Sequence, residues 1–206
     1  MQYRWLLLAG VIVLAGCGQA PDGRENQGGS ASASYEHHEG FVDLYWDAAT
    51  GQLLFEVTAL DAPFIYQSGL ARGVGSNDLG LDRGRLGANR VVRFERSGPK
   101  ILMIEDNLAY RANSADPDER KAVAESFARS VIWGFDIVDD TADGVLVDGT
   151  DFFLRDADGL AARLAAKEEG SYAADPSRSA IYLPRTKAFP DNSEIEAVVT
   201  FTGQPT

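Results

Sequence analysis

Residues 90–105 decide the fold class, and they read Arg90-Val-Val-Arg-Phe-Glu-Arg96, Ser97-Gly-Pro99, Lys100-Ile-Leu-Met-Ile-Glu105. Two runs rich in β-branched, aromatic and large apolar residues flank a short turn that contains glycine and proline. Such a pattern is typical of two antiparallel strands joined by a tight connection. Residues 90–105 therefore predict a β-hairpin.

The sequence before and after this hairpin repeats the same kind of pattern. Residues 41–46 alternate as FVDLYW, residues 47–51 form a turn that ends in Gly51, and residues 52–57 return as QLLFEV. A five-residue turn ending in glycine is an ordinary hairpin loop. Further strands are predicted at Phe64–Tyr66, Val131–Val138, Gly144–Val147, Ala180–Leu183 and Glu194–Phe201.

Two helices are predicted between these strands. Asp116 is a candidate N-cap, Pro117 suits the first helical position, and Glu119 has capping-box spacing ahead of Ala122–Val131. The second helix is expected from about Asp158 to Glu169, with Gly170 as its stop. Strands do not alternate regularly with helices, so the predicted fold is α+β, mostly antiparallel β-sheet with about two helices.

Composition limits the classes of function. The 206 residues are 45% hydrophobic, which allows a sizeable core, and the net charge is −12. That acidic surplus argues against nucleic-acid binding, because replacing phosphate counterions needs lysine and arginine. The single cysteine excludes an internal disulfide and a cysteine-rich zinc site.

The N-terminus predicts export and lipid anchoring. Residues 1–16 have the features of a lipoprotein signal peptide, with Arg4 followed by an apolar run too short to span a bilayer. Leu14-Ala15-Gly16-Cys17 matches the bacterial lipobox, so Cys17 is the expected lipid-attachment residue and the new N-terminus. Several acyl chains on this residue would hold the protein on the membrane. Gly18, in place of the aspartate that often retains lipoproteins at the inner membrane, favours the outer membrane of the bacterial envelope.

Residues 17–39 are predicted to form a flexible tether, because Gly, Ser, Ala, Asn and Gln dominate there. The only two histidines, His37 and His38, are adjacent and fall inside it. Zinc hydrolysis needs ligands that are held rigidly, as in His-Glu-x-x-His on a helix. We therefore expect solvated histidines, no metal site and no cofactor in this chain.

Other candidate constellations have simpler interpretations. Residues 73–80 are rich in glycine but lack the spacing of a phosphate loop, so a shaped turn is expected. Asp139, Asp140 and Asp143, and the pair Asp156 and Asp158, lack the closing glutamate of an EF-hand loop and are expected to form turns. The basic island of Arg178, Arg185 and Lys187 is expected to balance surface charge, with contact to an acidic partner as the alternative.

No catalytic residue is predicted. The chain has serines, but it has no histidine outside the expected tether to act as a base and no Gly-x-Ser-x-Gly elbow. The remaining body, residues 40–206, is expected to be one accessory domain.

Five stretches of this body carry a family resemblance: residues 40–47 (GFVDLYWD), 75–84 (GSNDLGLDRG), 90–96, 148–156 (DGTDFFLRD) and 179–190 (SAIYLPRTKAFP). They resemble the N-terminal domain of unknown function of bacterial zinc-dependent metalloprotease-like lipoproteins. In that family the expected zinc site, an extended His-Glu-x-x-His motif, lies several hundred residues further on. No position of this chain matches that motif, so zinc is expected only in a catalytic domain outside this chain.

Two hypotheses follow. The resemblance implies a non-catalytic module that packs against or positions a metallopeptidase catalytic domain, in cis if the chain is a fragment of a longer protein. The alternative is a stand-alone envelope lipoprotein that acts as a binding module. In both, the membrane is reached through lipid on Cys17.

Overall fold

A computed structural model describes residues 7–15, 35–75 and 77–206. Thirteen strands are present in this part of the chain: β1 (Leu7–Ala15), β2 (Glu36–His38), β3 (Leu44–Asp47), β4 (Gln52–Val57), β5 (Phe64–Leu70), β6 (Arg90–Ser97), β7 (Lys100–Glu105), β8 (Ser130–Asp140), β9 (Val145–Asp148), β10 (Gly170–Ala174), β11 (Ala180–Ile181), β12 (Lys187–Phe189) and β13 (Asn192–Pro205). The α-helices of the described residues are α1 (Pro117–Ser126), α2 (Thr150–Phe153) and α3 (Leu160–Ala166). Three short 3₁₀ helices lie at Asn77–Leu79, Pro176–Arg178 and Leu183–Arg185.

The strands form one antiparallel sheet with the order β10-β13-β1-β5-β6-β7-β8-β9-β4-β3-β2, and β11 and β12 pair with β13. The predicted predominance of antiparallel sheet is confirmed. The helix count is three instead of about two, because residues 150–153 add one short turn that no periodic pattern signals.

The two ends of this strand order meet. The Val42 N–H donates to Ser193 Oγ (3.1 Å), and Ser193 Oγ donates to the Val42 carbonyl (2.9 Å). The Phe41 N–H donates to the Phe189 carbonyl at 2.7 Å. Residues just before β3 are therefore joined to β12 and β13, and the sheet curls around its core.

Aromatic side chains fill much of that core. Phe55 contacts Phe135 edge-on with ring centroids 4.9 Å apart, and Phe135 contacts Phe152 at 5.1 Å. Phe55, Phe135 and Phe152 are almost completely buried. Because Phe152 belongs to α2, this short helix is anchored in the core although its sequence carries little helical signal.

Helix α1 begins as predicted and ends early. The Asp116 carboxylate accepts a hydrogen bond from the Asp118 N–H at 2.9 Å, and Pro117 occupies the first turn. The helix ends at Ser126, whereas the sequence predicted a continuation to Val131. Residues from Ser130 onward pair with β7 instead, and Val131 lies opposite Ile104. Sheet pairing therefore overrides the helical pattern here.

The second predicted helix is shorter than expected. Helix α3 covers residues 160–166, inside the predicted range of 158–169, and Gly170 opens β10 with a φ of +124°. The Asp156 carboxylate caps α3, since it accepts hydrogen bonds from the Leu160 N–H (2.8 Å) and the Ala161 N–H (3.0 Å).

The hairpins of residues 41–57 and 90–105 are confirmed, and β4 and β7 have the predicted bounds. Strands β10 and β12 were not predicted, and residues 36–38 of the expected tether form β2. Residues 7–15 of the expected leader form β1, which pairs with β13 and β5. Within the described residues, no helix combines the length and apolar character needed to cross a membrane.

Candidate functional site

The predicted lipid-attachment residue, Cys17, lies outside the described residues. The two histidines lie on β2, where His37 is exposed and His38 is partly buried. The His37 ring stacks on Tyr45 with centroids 4.6 Å apart, and His37 Nε2 lies 3.2 Å from Asp43 Oδ2. In the part of the chain that the structure describes, no group of three or more potential metal ligands is close enough to hold an ion.

The basic island is tied to acidic residues of the same chain. Arg178 pairs with Asp175 (2.6 Å), and Arg185 lies 3.9 Å from Glu196, whose carboxylate is buried on β13. Lys187 on β12 lies opposite Glu194. This geometry favours charge balance over recognition of an acidic partner.

The acidic turns also have structural roles. Asp140 receives two hydrogen bonds from Arg96, at 2.6 and 3.0 Å, and Asp156 caps α3. Residues 77–79 of the glycine-rich segment form only one 3₁₀ turn. The expected turns are found only in part: Asp158 lies in a turn and Asp143 in a bend, whereas Asp139 and Asp140 form the end of strand β8.

A polar cavity lies where four separate segments meet. Residues 66–68 of β5, the 85–90 segment, residues 130–132 of β8 and the 155–158 loop line it, and its volume is about 480 Å³. We call it the arginine pocket, because Arg85, Arg90 and Arg155 line it together with Asp156 and Asp158. Its volume lies within the range of small-ligand sites.

Arg155 is the most firmly held of these cations. Its guanidinium lies over the Phe152 ring at 3.8 Å from the centroid, and Tyr66 and Trp133 lie within 6 Å. One N–H group donates to the Phe152 carbonyl and another donates to Tyr66 Oη at 2.7 Å. The guanidinium has about five N–H groups, and its other N–H groups have no partner among the described residues. It is therefore a positioned donor that faces the cavity.

Tyr66 adds a second donor. Burial raises the pKa of Tyr66 above its ordinary value, against the opposing effect of Arg155, so the phenol stays protonated at neutral pH. Because Tyr66 Oη already accepts from Arg155, its hydrogen is directed elsewhere.

The other end of the pocket carries Asp158. Burial raises the pKa of this carboxyl group, while the Arg85 charge lowers it and Asp156 raises it further. Ser68 Oγ lies 3.5 Å from Asp158 Oδ1, at the limit of a hydrogen bond. Arg90 is neutralised separately by an ion pair with Glu105. Arg85 and Arg155 are thus the pocket's available cations, and Asp158 is its available acceptor.

The sequence analysis did not identify this pocket. Its residues come from four segments that are far apart in the chain, and none of them has a recognisable spacing. The signals were indirect: Arg90 and Arg155 lie in stretches that carried the family resemblance, and Asp156 and Asp158 were expected only to form a turn.

The structure describes a β-rich domain with a polar pocket. Residues 84–206 match the family described as a domain of unknown function (DUF5117), and the chain belongs to this family. No curated protein and no solved structure matches the chain.

Proposed function

We propose that this protein is the non-catalytic N-terminal module of an exported zinc-metallopeptidase-like lipoprotein. It would pack against or position a catalytic domain that lies outside these 206 residues and holds the zinc. The resemblance of residues 40–203 supports the parent class. Lipid on Cys17 would keep the module at the bacterial envelope, with the outer membrane favoured by Gly18.

One observation carries the packing role, namely the position of β1 in the sheet. Residues 7–15 pair with β13 over nine positions and with β5 over six. The same residues belong to the expected leader, which signal processing before Cys17 would remove. Removal would leave one edge of β5 and one edge of β13 without partners in the middle of the sheet.

Unpaired strand edges favour the addition of a new strand, because backbone N–H and C=O groups need hydrogen-bond partners. Strand addition is an established mode of protein recognition. The position between β5 and β13 would therefore receive a strand from the catalytic domain, which would join the two domains.

The arginine pocket favours a second candidate, a stand-alone envelope lipoprotein that acts as a binding module. In this case β5 and β13 would pair with one another after processing. The pocket would then be the functional surface.

The test compares processed protein with a Cys17→Ser variant, which should keep residues 1–16 because the lipid-accepting residue is missing. Intact mass would establish removal of the leader and acylation in the wild type. Hydrogen exchange would then follow the amides of β5 and β13. We expect fast exchange in the processed protein and protection in the variant.

The DNA downstream of the Thr206 codon supplies the second half of the test. If it encodes a His-Glu-x-x-His domain, that domain should restore protection of β5 and β13 when it is added to processed protein. Full protection without any added domain, or a gene without such a domain, would instead favour the stand-alone lipoprotein. If the wild-type protein retains residues 1–16, the position of β1 is never vacated, and the proposed packing role loses its support.

A further inference from the structure

The geometry points to the arginine pocket as a binding site for the C-terminal carboxylate of a peptide. This inference does not depend on the packing role proposed above, because the pocket and the position of β1 are separate observations. It rests on the state of two arginines, on the charge balance of the cavity and on its size.

The first step is the state of Arg155. Its two hydrogen-bond acceptors, the Phe152 carbonyl and the Tyr66 hydroxyl, are both uncharged. The guanidinium carbon lies 3.8 Å from the centroid of the Phe152 ring, and Arg155 lines the cavity. A planar guanidinium edge matches the two oxygens of a carboxylate, and partial burial strengthens the attraction.

The second step is the charge balance. Glu105 neutralises Arg90, so the remaining charged groups of the lining are Arg85 and Arg155 against Asp156 and Asp158. Asp156 accepts hydrogen bonds from the first amides of α3 and Asp158 lies near Arg85, whereas Arg155 has only uncharged partners and is the cation left for an anion. A monoanion such as a carboxylate suits this balance better than a doubly charged phosphate, which Asp158 would repel.

The third step concerns the rest of the ligand. Asp158 offers carboxylate oxygens near Arg85, and these would accept a hydrogen bond from an amide N–H. A volume of about 480 Å³ accommodates one or two residues of a peptide end. The terminal carboxylate would contact Arg155, Tyr66 and Arg85, and the preceding amide would contact Asp158.

The experiment uses the full chain with Cys17→Ser, so that residues 1–16 are retained and the protein corresponds to the structure. The probes are N-acetyl-Ala-Ala with a free carboxylate and the same dipeptide with a C-terminal amide. Ligand-observed NMR titration should show that the free acid binds at least about tenfold more tightly than the amide, since one well-placed charged pair contributes about that factor. Acetate and inorganic phosphate serve as competitors.

Variants assign the binding to the pocket. Arg155→Lys keeps the charge but removes the planar fork, and Arg85→Gln removes the second cation; each should weaken binding of the free acid by about tenfold. Arg96→Gln is the matched control, because it removes one charge from a surface pair with Asp140 outside the pocket.

If Arg155→Lys lowers the stability of the fold, Arg85→Gln decides the question, because Arg85 is half-exposed and lies outside the aromatic contacts of Arg155. Equal binding of acid and amide would overturn the inference. Equal affinities of the Arg85→Gln and Arg96→Gln proteins would also overturn it. Stronger competition by phosphate than by acetate would show a general anion site and refute the carboxylate assignment.

Discussion

Replacing Ser193 with alanine should test how the sheet closes. The Ser193 side chain is fully buried, and its hydroxyl bridges both backbone groups of Val42, at 3.1 Å from the N–H and 2.9 Å from the carbonyl. Alanine would leave one buried donor and one buried acceptor without partners. Each such group costs about 1–3 kcal/mol, so we expect a loss of at least about 2 kcal/mol in the free energy of unfolding.

Urea unfolding followed by circular dichroism would measure this loss, with an unchanged slope if the two-state transition is retained. In a chain of this size the melting temperature should fall by about 5–15 °C. Ser126→Ala is the matched control, because its hydroxyl donates to the Ala122 carbonyl at an exposed helix end where water can replace it. The control should change stability by less than about 0.5 kcal/mol. Equal stabilities of the two variants would refute the closing role of Ser193.

Two further predictions concern the pocket and the core. Burial raises the pKa of Asp158 in the folded protein, so ionisation of this carboxyl group opposes folding. The free energy of unfolding should therefore fall as the pH rises from about 4, the ordinary pKa of aspartate, through the higher pKa of the folded state. The Asp158→Asn protein should therefore be as stable as wild type near pH 3 and more stable at pH 7. The gain should be less than about 1 kcal/mol, because solvent screens the group. A variant that is less stable than wild type at pH 7 would contradict this prediction. Gly144→Ala should be strongly destabilising in thermal unfolding, because the new Cβ would lie 2.3 Å from the Val57 carbonyl oxygen. Gly134→Ala should be tolerated, because its new Cβ would meet flexible side-chain atoms, Leu102 Cδ2 at 3.3 Å and Lys100 Cδ at 3.6 Å. Similar melting temperatures for the two glycine variants would contradict the packing argument.

The sequence predicts the hairpins well because local signals agree there. Residues 90–105 carry β-forming residues on both sides of a turn, and Gly98 adopts the positive φ (+58°) that the connection requires. The prediction fails where a long-range contact decides the structure. Helix α1 ends before Val131 because β8 pairs with β7, and no local pattern reports that pairing.

Local sequence patterns do not predict the short elements or the pocket. Residues 187–189 form a strand because β13 lies beside them, not because their sequence alternates. The arginine pocket needs residues from segments almost a hundred positions apart, such as Tyr66 and Arg155. The apolar run of residues 7–15 fits either a leader or a buried strand, since periodicity alone does not separate the two.

Strand β5 borders both the position that β1 occupies in the sheet and the arginine pocket. Its residues 65–70 pair with β1, whereas only three of its residues, Phe64 to Tyr66, pair with β6. Tyr66 and Ser68 on this strand line the pocket, and Tyr66 holds Arg155. Losing the strand beside β5 should therefore loosen one wall of the pocket and lower its affinity for a carboxylate.

The expected order of carboxylate affinity follows from this link. The Cys17→Ser protein with its leader should bind N-acetyl-Ala-Ala more tightly than processed protein does, and adding the catalytic domain should restore the affinity of processed protein. Binding free energies are reciprocal, so the peptide should strengthen binding of the catalytic domain by the same factor. Equal peptide affinities in the processed and leader-containing proteins would show that β5 does not transmit the effect, and the two sites would then act independently.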